Sequence, residues 1–134
     1  MKSVLLTTLR YPRAWLCLGL LMALFITVMS LLPANNLPSL GISDKIEHAA
    51  AYALLAFWFA SVMGRWDYLY LFLALLAFGG GIEIAQGLMG LGREADLLDL
   101  AADAAGSVVG LGLAATPLGR WASFIEDLLT RRQR

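Results

Sequence analysis

The sequence predicts an all-α fold: a polytopic membrane protein built as a four-transmembrane-helix bundle with a C-terminal amphipathic interfacial helix. Three observations carry that prediction. Of the 134 residues, 60% are apolar and only 15% charged, against roughly 45–50% and 25% in soluble domains. One core of this size cannot hide so much apolar surface from water, so lipid is the solvent for most of it. Apolar runs bounded by charges or helix breakers then recur four times, each near the roughly 20 residues that a helix needs to cross about 30 Å of hydrocarbon. Finally, ten basic residues balance ten acidic ones, which removes the cationic excess that nucleic-acid binding needs. Cys17 is the single cysteine and His48 the single histidine, so no disulfide framework or cysteine metal cluster is available.

The whole chain, 1–134, reads as a single membrane domain with spans at about 14–32, 46–64, 68–89 and 97–117 and an interfacial helix at about 120–132. The first span runs from Arg13 to Pro33 without a charge. A cleaved signal peptide is the alternative, but the 19-residue run exceeds a typical signal core and no small-x-small cleavage site follows it. A connector rich in turn residues, with Pro33, Asn35, Asn36, Pro38 and Gly41, leads to the second span. Glu47 and His48 fall in that helix's first turns, Glu83 and Gln86 lie near the end of the third, and Asp99 and Asp103 begin the fourth. Only the first span is free of ionisable groups. In the last segment Trp121, Phe124, Ile125, Leu128 and Leu129 recur at helical spacing, with Glu126 and Asp127 expected in solvent. This pattern suits a helix lying at the cytoplasmic interface.

Basic residues near short loops are retained on the cytoplasmic side. Lys2, Arg10, Arg13, Arg65, Arg120, Arg131, Arg132 and Arg134 fall on one side, and only Lys45 and Arg93 on the other. Both termini are therefore expected in the cytoplasm.

Helical rise converts sequence position into depth. His48 is 17 residues from Arg65, Glu83 is 15 from Tyr68 and Asp103 is 17 from Arg120, which sets all three about 22–26 Å from the inner boundary. They arrive at one height from three helices. Asp44, His48 and Tyr52 share one helical face, Glu83 and Gln86 another. Asp96, Asp99 and Asp103 form a stripe that continues into Gly106 and Gly110, where small residues admit close helix approach. Carboxylates facing hydrocarbon cost about 2.5–3.5 kcal/mol each near the centre of a span, so these groups are expected to face one another or water. Polar groups also persist in membrane helices simply to fix packing, at about 0.6 kcal/mol each, and for Tyr52, Gln86 and Ser107 that reading stands beside ligand contact.

The candidate site comprises His48 and Glu83 as proton-transfer groups, with Asp44, Lys45, Tyr52, Gln86, Arg93, Asp99 and Asp103 as substrate-binding residues. A histidine beside carboxylates exchanges protons near neutral pH, and Arg93 is suited to a phosphate or carboxylate on a lipid head. One histidine and several carboxylates also suit a divalent metal, but the spacing is unspecific, and no metal or cofactor is assigned. The HExxH motif, the GxSxG elbow and the phosphate loop are absent.

Asp44-Lys45-x-x-His48-x-x-x-Tyr52, then Glu83-x-x-Gln86, then Arg93 with Asp99-x-x-x-Asp103-x-x-Gly106-x-x-x-Gly110 resemble the motifs of the VanZ-like membrane protein family. The resemblance covers about residues 42–113 and departs at Asp103, where that family generally carries Asn. It implies a small multispanning protein of the bacterial cytoplasmic (inner) membrane, related to one associated with resistance to the lipoglycopeptide teicoplanin.

Three functions follow as expectations. The first is a cell-envelope protein binding or modifying a lipid-linked precursor or lipid-tailed molecule, with membrane lipids as its other partners. The second is an acid-base or metal-assisted enzyme on an outer-leaflet headgroup. The third is a proton-coupled transporter subunit, weakened because no polar relay extends from the cluster towards the cytoplasm.

Overall fold

The computed structural model describes residues 9–33, 43–63, 67–90 and 95–131. Arg93, Glu94, the connector residues Asn35, Asn36, Pro38 and Gly41, and the basic residues Lys2, Arg65, Arg132 and Arg134 lie outside them. The described residues form five α-helices and no strand: α1 (Pro12–Leu31), α2 (Asp44–Val62), α3 (Tyr68–Met89), α4 (Leu97–Ala114) and α5 (Trp121–Arg131). A 3-10 turn, Pro117–Arg120, joins the last two. Three helices, α1, α3 and α4, are long and apolar enough to cross a membrane.

α2 is not among those three, although it is 19 residues long. Asp44, Lys45, Glu47 and His48 crowd its first turns, and its middle is rich in alanine. Its position explains both. The most extensive helix contact in the molecule is α2 against α4, and α2 supplies Tyr52, Leu55, Ala56 and Phe59 to a core completed by Leu71 and Leu75 of α3 and Ala114 of α4. A helix shielded by protein has no need of leucine on every face. α1 is its opposite: only 6% of its span is buried inside the protein, against 33% for α4. It touches the bundle closely at Gly19, where an added Cβ would meet the rings of Trp58 and Phe59 at 2.8 Å.

Small residues set the α2–α4 register. A Cβ at Gly106 would collide with the carbonyl oxygen of Ala49, and one at Gly110 with that of Ala53. Both pairs advance by four residues in the same direction, so α2 and α4 run parallel, backbone against backbone. The spacing of Gly106 and Gly110 already implies this approach.

Helix ends follow local chemistry. α3 stops at Gly90, whose φ of 63° is left-handed, a conformation that costs glycine little. α4 ends at Ala114, short of the expected 117, because Pro117 has no N–H to continue the ladder and forces the preceding residue out of helical geometry. Thr116 is accordingly extended, with ψ 175°. The chain then folds back, and α5 returns to the start of α1.

That return makes the opposite end of the bundle from His48 a tryptophan cluster. Trp121 lies 5.2 Å from Trp15 and 4.7 Å from Trp58 between ring centroids. Trp58 Nε1 donates to the Trp15 carbonyl at 3.0 Å, and Trp121 Nε1 donates to Ser61 Oγ at 2.9 Å. Glu126, expected in solvent, is 7% exposed instead. Its Oε2 accepts the Arg10 N–H at 2.6 Å, and its Oε1 accepts the Tyr11 N–H and Trp15 Nε1–H, both at 2.9 Å. The first N–H groups of a helix lack internal partners and carry partial positive charge. Glu126 thus anchors the start of α1, which has no side-chain cap of its own. Burial pushes the Glu126 carboxyl up, but these three donors outweigh it and hold the group below the usual carboxylate range. On the face of α5 turned away from Glu126, Phe124 and Leu128 are exposed.

Candidate functional site

The end of the bundle where α2 and α4 begin holds the acidic cluster. Part of its acidity belongs to helix starts. Asp96 is the N-cap of α4, and its Oδ1 accepts the Leu98 N–H at 2.8 Å, while Asp44 and Asp99 lie in first turns, where negative charge complements the helix dipole. Lys45 then reaches across from α2: its Nζ lies 2.6 Å from Asp96 Oδ2 and 2.6 Å from Asp99 Oδ1. The ammonium beside Asp96 holds that carboxyl below its ordinary value.

Deeper groups have no such explanation. His48 Nδ1 lies 2.9 Å from Asp103 Oδ1, with the two side chains 10% and 2% exposed. Paired with a carboxylate, Nδ1 is the donor, and Nε2 makes no described hydrogen bond. Glu83 approaches from α3, where its Oε2 accepts the backbone N–H of Asp96 at 2.7 Å. Its Oε1 is buried without a donor, as are Tyr52 OH and Ser107 Oγ. Buried polar atoms are almost always paired in folded proteins. Glu83 Oε1 and Tyr52 OH, both in the surroundings of Asp103, mark unfilled hydrogen-bonding capacity there.

The structure thus brings His48, Glu83, Lys45, Asp96, Asp99 and Asp103 together, with Asp44 at the exposed rim. One oxygen each of Asp44 and Asp99 and one ring nitrogen of His48 lie within 4.8 Å of one another, and these are the residues able to hold a metal. Tyr52 lies a turn further in, 2% exposed, with its ring 6.1 Å from that of Phe78. Gln86 turns elsewhere: its Nε2 donates to the Ser30 carbonyl at 2.9 Å and ties α3 to the end of α1. Arg93 lies outside the described residues.

Gly79 is a residue that sequence reasoning missed. A Cβ there would stand 2.5 Å from Asp103 Oδ2 and 3.0 Å from Tyr52 OH, so its bareness gives Asp103 room against α3. The available signal was its position four residues before Glu83, on the same helical face.

An apolar cleft of about 440 Å³ opens between α1 and α2, lined by Leu18, Leu21, Met22, Phe25, Ile26, Ala51, Leu54 and Trp58. None of the polar cluster residues lines it, and it lies on the side of α2 that faces α1.

Comparison with family models, with curated proteins and with solved structures gives no match to this chain.

Proposed function

We propose that the chain is a VanZ-like integral protein of the bacterial cytoplasmic membrane, crossing it four times with both termini in the cytoplasm. Its acidic end lies at the extracytoplasmic face, where it binds or modifies a lipid-linked or lipid-tailed molecule and confers glycopeptide or lipopeptide resistance. Three apolar helices support the membrane assignment. The fourth span is α2, because a helix packed parallel and backbone-close along α4 crosses whatever α4 crosses. The excess of basic residues near the tryptophan end supports the orientation.

The observation that carries the reading is the convergence of His48, Glu83, Asp99 and Asp103 at one end, with buried polar atoms still lacking partners. Intramembrane ionisable groups are expensive, and their retention points to function. The apolar cleft beside α2 is suited to an acyl chain whose headgroup occupies the cluster. The test is teicoplanin and lipopeptide susceptibility in cells carrying wild type, His48→Ala, Glu83→Gln or Arg93→Ala at equal abundance. Each variant is expected to lose protection. Unchanged protection in all three overturns the reading.

A second reading, acid-base chemistry on the headgroup, is favoured by one observation. A buried carboxylate orients the His48 imidazole and leaves its second nitrogen free, as a general base requires. Lipid profiles of deleted and complemented cells would then differ in a headgroup species; identical profiles count against turnover.

A further inference from the structure

We propose that the acidic end binds one first-row divalent cation, of the Zn2+ or Mn2+ kind, on Asp44, His48 and Asp99. The donor atoms of these three residues already lie within 4.8 Å of one another. Zinc bonds of about 2.0–2.2 Å place neighbouring ligand atoms about 3.4 Å apart. Asp44 is exposed and makes no described hydrogen bond, so its side chain is free to close the difference. Mixed imidazole and carboxylate donors select such ions over Ca2+ and Mg2+, which prefer oxygen alone.

Two further observations point to a missing cation. Glu83 is 6% exposed and its Oε1 has no donor, although its carboxylate lies within electrostatic range of His48, Asp99 and Asp103. Charge balance in the cluster points the same way. Among the described residues, the carboxylates of Asp44, Glu83, Asp96, Asp99 and Asp103 face one ammonium, Lys45, and one imidazole, His48. Lys45 is engaged by Asp96 and Asp99, and His48 by Asp103, so among the described residues no cationic group pairs with Asp44 or with Glu83 Oε1. Buried polar atoms are rarely left unpaired, and a cation on the neighbouring ligands completes the arrangement.

The ion also explains how an acid-rich pocket holds an anion. Resting on the function proposed above, its open side, next to exposed Asp44, takes a phosphate oxygen of the lipid headgroup, with the metal bridging ligand and protein.

Full-length protein in detergent, stripped with a chelator, is titrated with Zn2+ alone and with Mn2+ alone by calorimetry. One saturable equivalent is expected, weakened at least about tenfold by Asp99→Asn and by His48→Gln and unaffected by Glu47→Gln. Asp44→Asn, at an exposed position with no described hydrogen bond, is expected to weaken it equally and covers the case in which a buried variant fails to fold. No saturable uptake, or uptake indifferent to Asp44→Asn, overturns the ion site and leaves the susceptibility test standing. An ion bound as expected in a protein whose cluster variants keep full protection retains the metal and removes the headgroup role.

Discussion

Glu126 is 7% exposed and Glu83 is 6% exposed, yet the first has donors on both carboxylate oxygens and the second has a donor on only one. The same contrast runs through the two ends they belong to. Around Glu126, the indole N–H groups of Trp15, Trp58 and Trp121 all donate, and Ser61 both accepts from Trp121 and donates to the Phe57 carbonyl at 2.7 Å. Near Glu83 the Tyr52 hydroxyl has no partner, and Ser107 Oγ, a turn beyond Asp103 on α4, has none either. Equal burial with unequal satisfaction separates a structural knot from the end we propose as the site.

The largest expected effect falls on the contact that holds both ends in register. Gly106→Leu drives a side chain into the Ala49 carbonyl, backbone that cannot move aside, and should cost more than about 3 kcal/mol. It is checked by loss of monodisperse folded protein on gel filtration in detergent. If Gly106→Leu folds normally, α2 and α4 are not backbone-close.

Glu126→Ala should come next. It strands the N–H groups of Arg10 and Tyr11 and the Trp15 indole, a loss of about 2–4 kcal/mol, read from unfolding in detergent. Protection by the surviving folded protein should be intact. This knot also has a sign in pH. Because the Glu126 carboxyl is held below its ordinary value, its contribution is complete above the ordinary value of about 4.3 and drains away as pH falls through the depressed folded value. Glu126→Gln should flatten that part of the acid unfolding curve, and an unchanged curve contradicts the assignment.

At the acidic end the direction reverses. Glu83→Gln keeps an acceptor for the Asp96 N–H and removes a buried carboxyl with one unpartnered oxygen, so stability should hold or rise within about 1 kcal/mol while protection falls. Smallest of all, Ser107→Ala deletes a hydroxyl without a partner and should change stability by no more than about 0.5 kcal/mol. A loss above about 1 kcal/mol, measured by the same unfolding, would reveal a hidden partner and blur the comparison.

Much of the acidic end is legible in the sequence because it depends on single-helix periodicity. Asp44 with His48, and Asp99 with Asp103, follow from four-residue spacing, and Gly106 with Gly110 from the same rule. Partner choice across helices is not periodic. Nothing in the order of residues says that Lys45 takes Asp96 and Asp99, or that Gln86 turns to Ser30, because each depends on the rotation of two helices about their axes. Glu126 is the clearest case. Its charge reads as solvated until the fold-back of α5, set by Pro117, delivers it to the open N–H groups at the start of α1. The central place of α2 is hidden for a related reason: hydropathy measures contact with lipid, and a helix surrounded by protein has little.

The most direct test sets the two buried glutamates against each other in cells. Glu83→Gln and Glu126→Gln, expressed at matched membrane abundance, are compared for teicoplanin and lipopeptide susceptibility. The account predicts that Glu83→Gln loses protection while Glu126→Gln retains it. Equal protection by the two variants, or loss confined to Glu126→Gln, would contradict it.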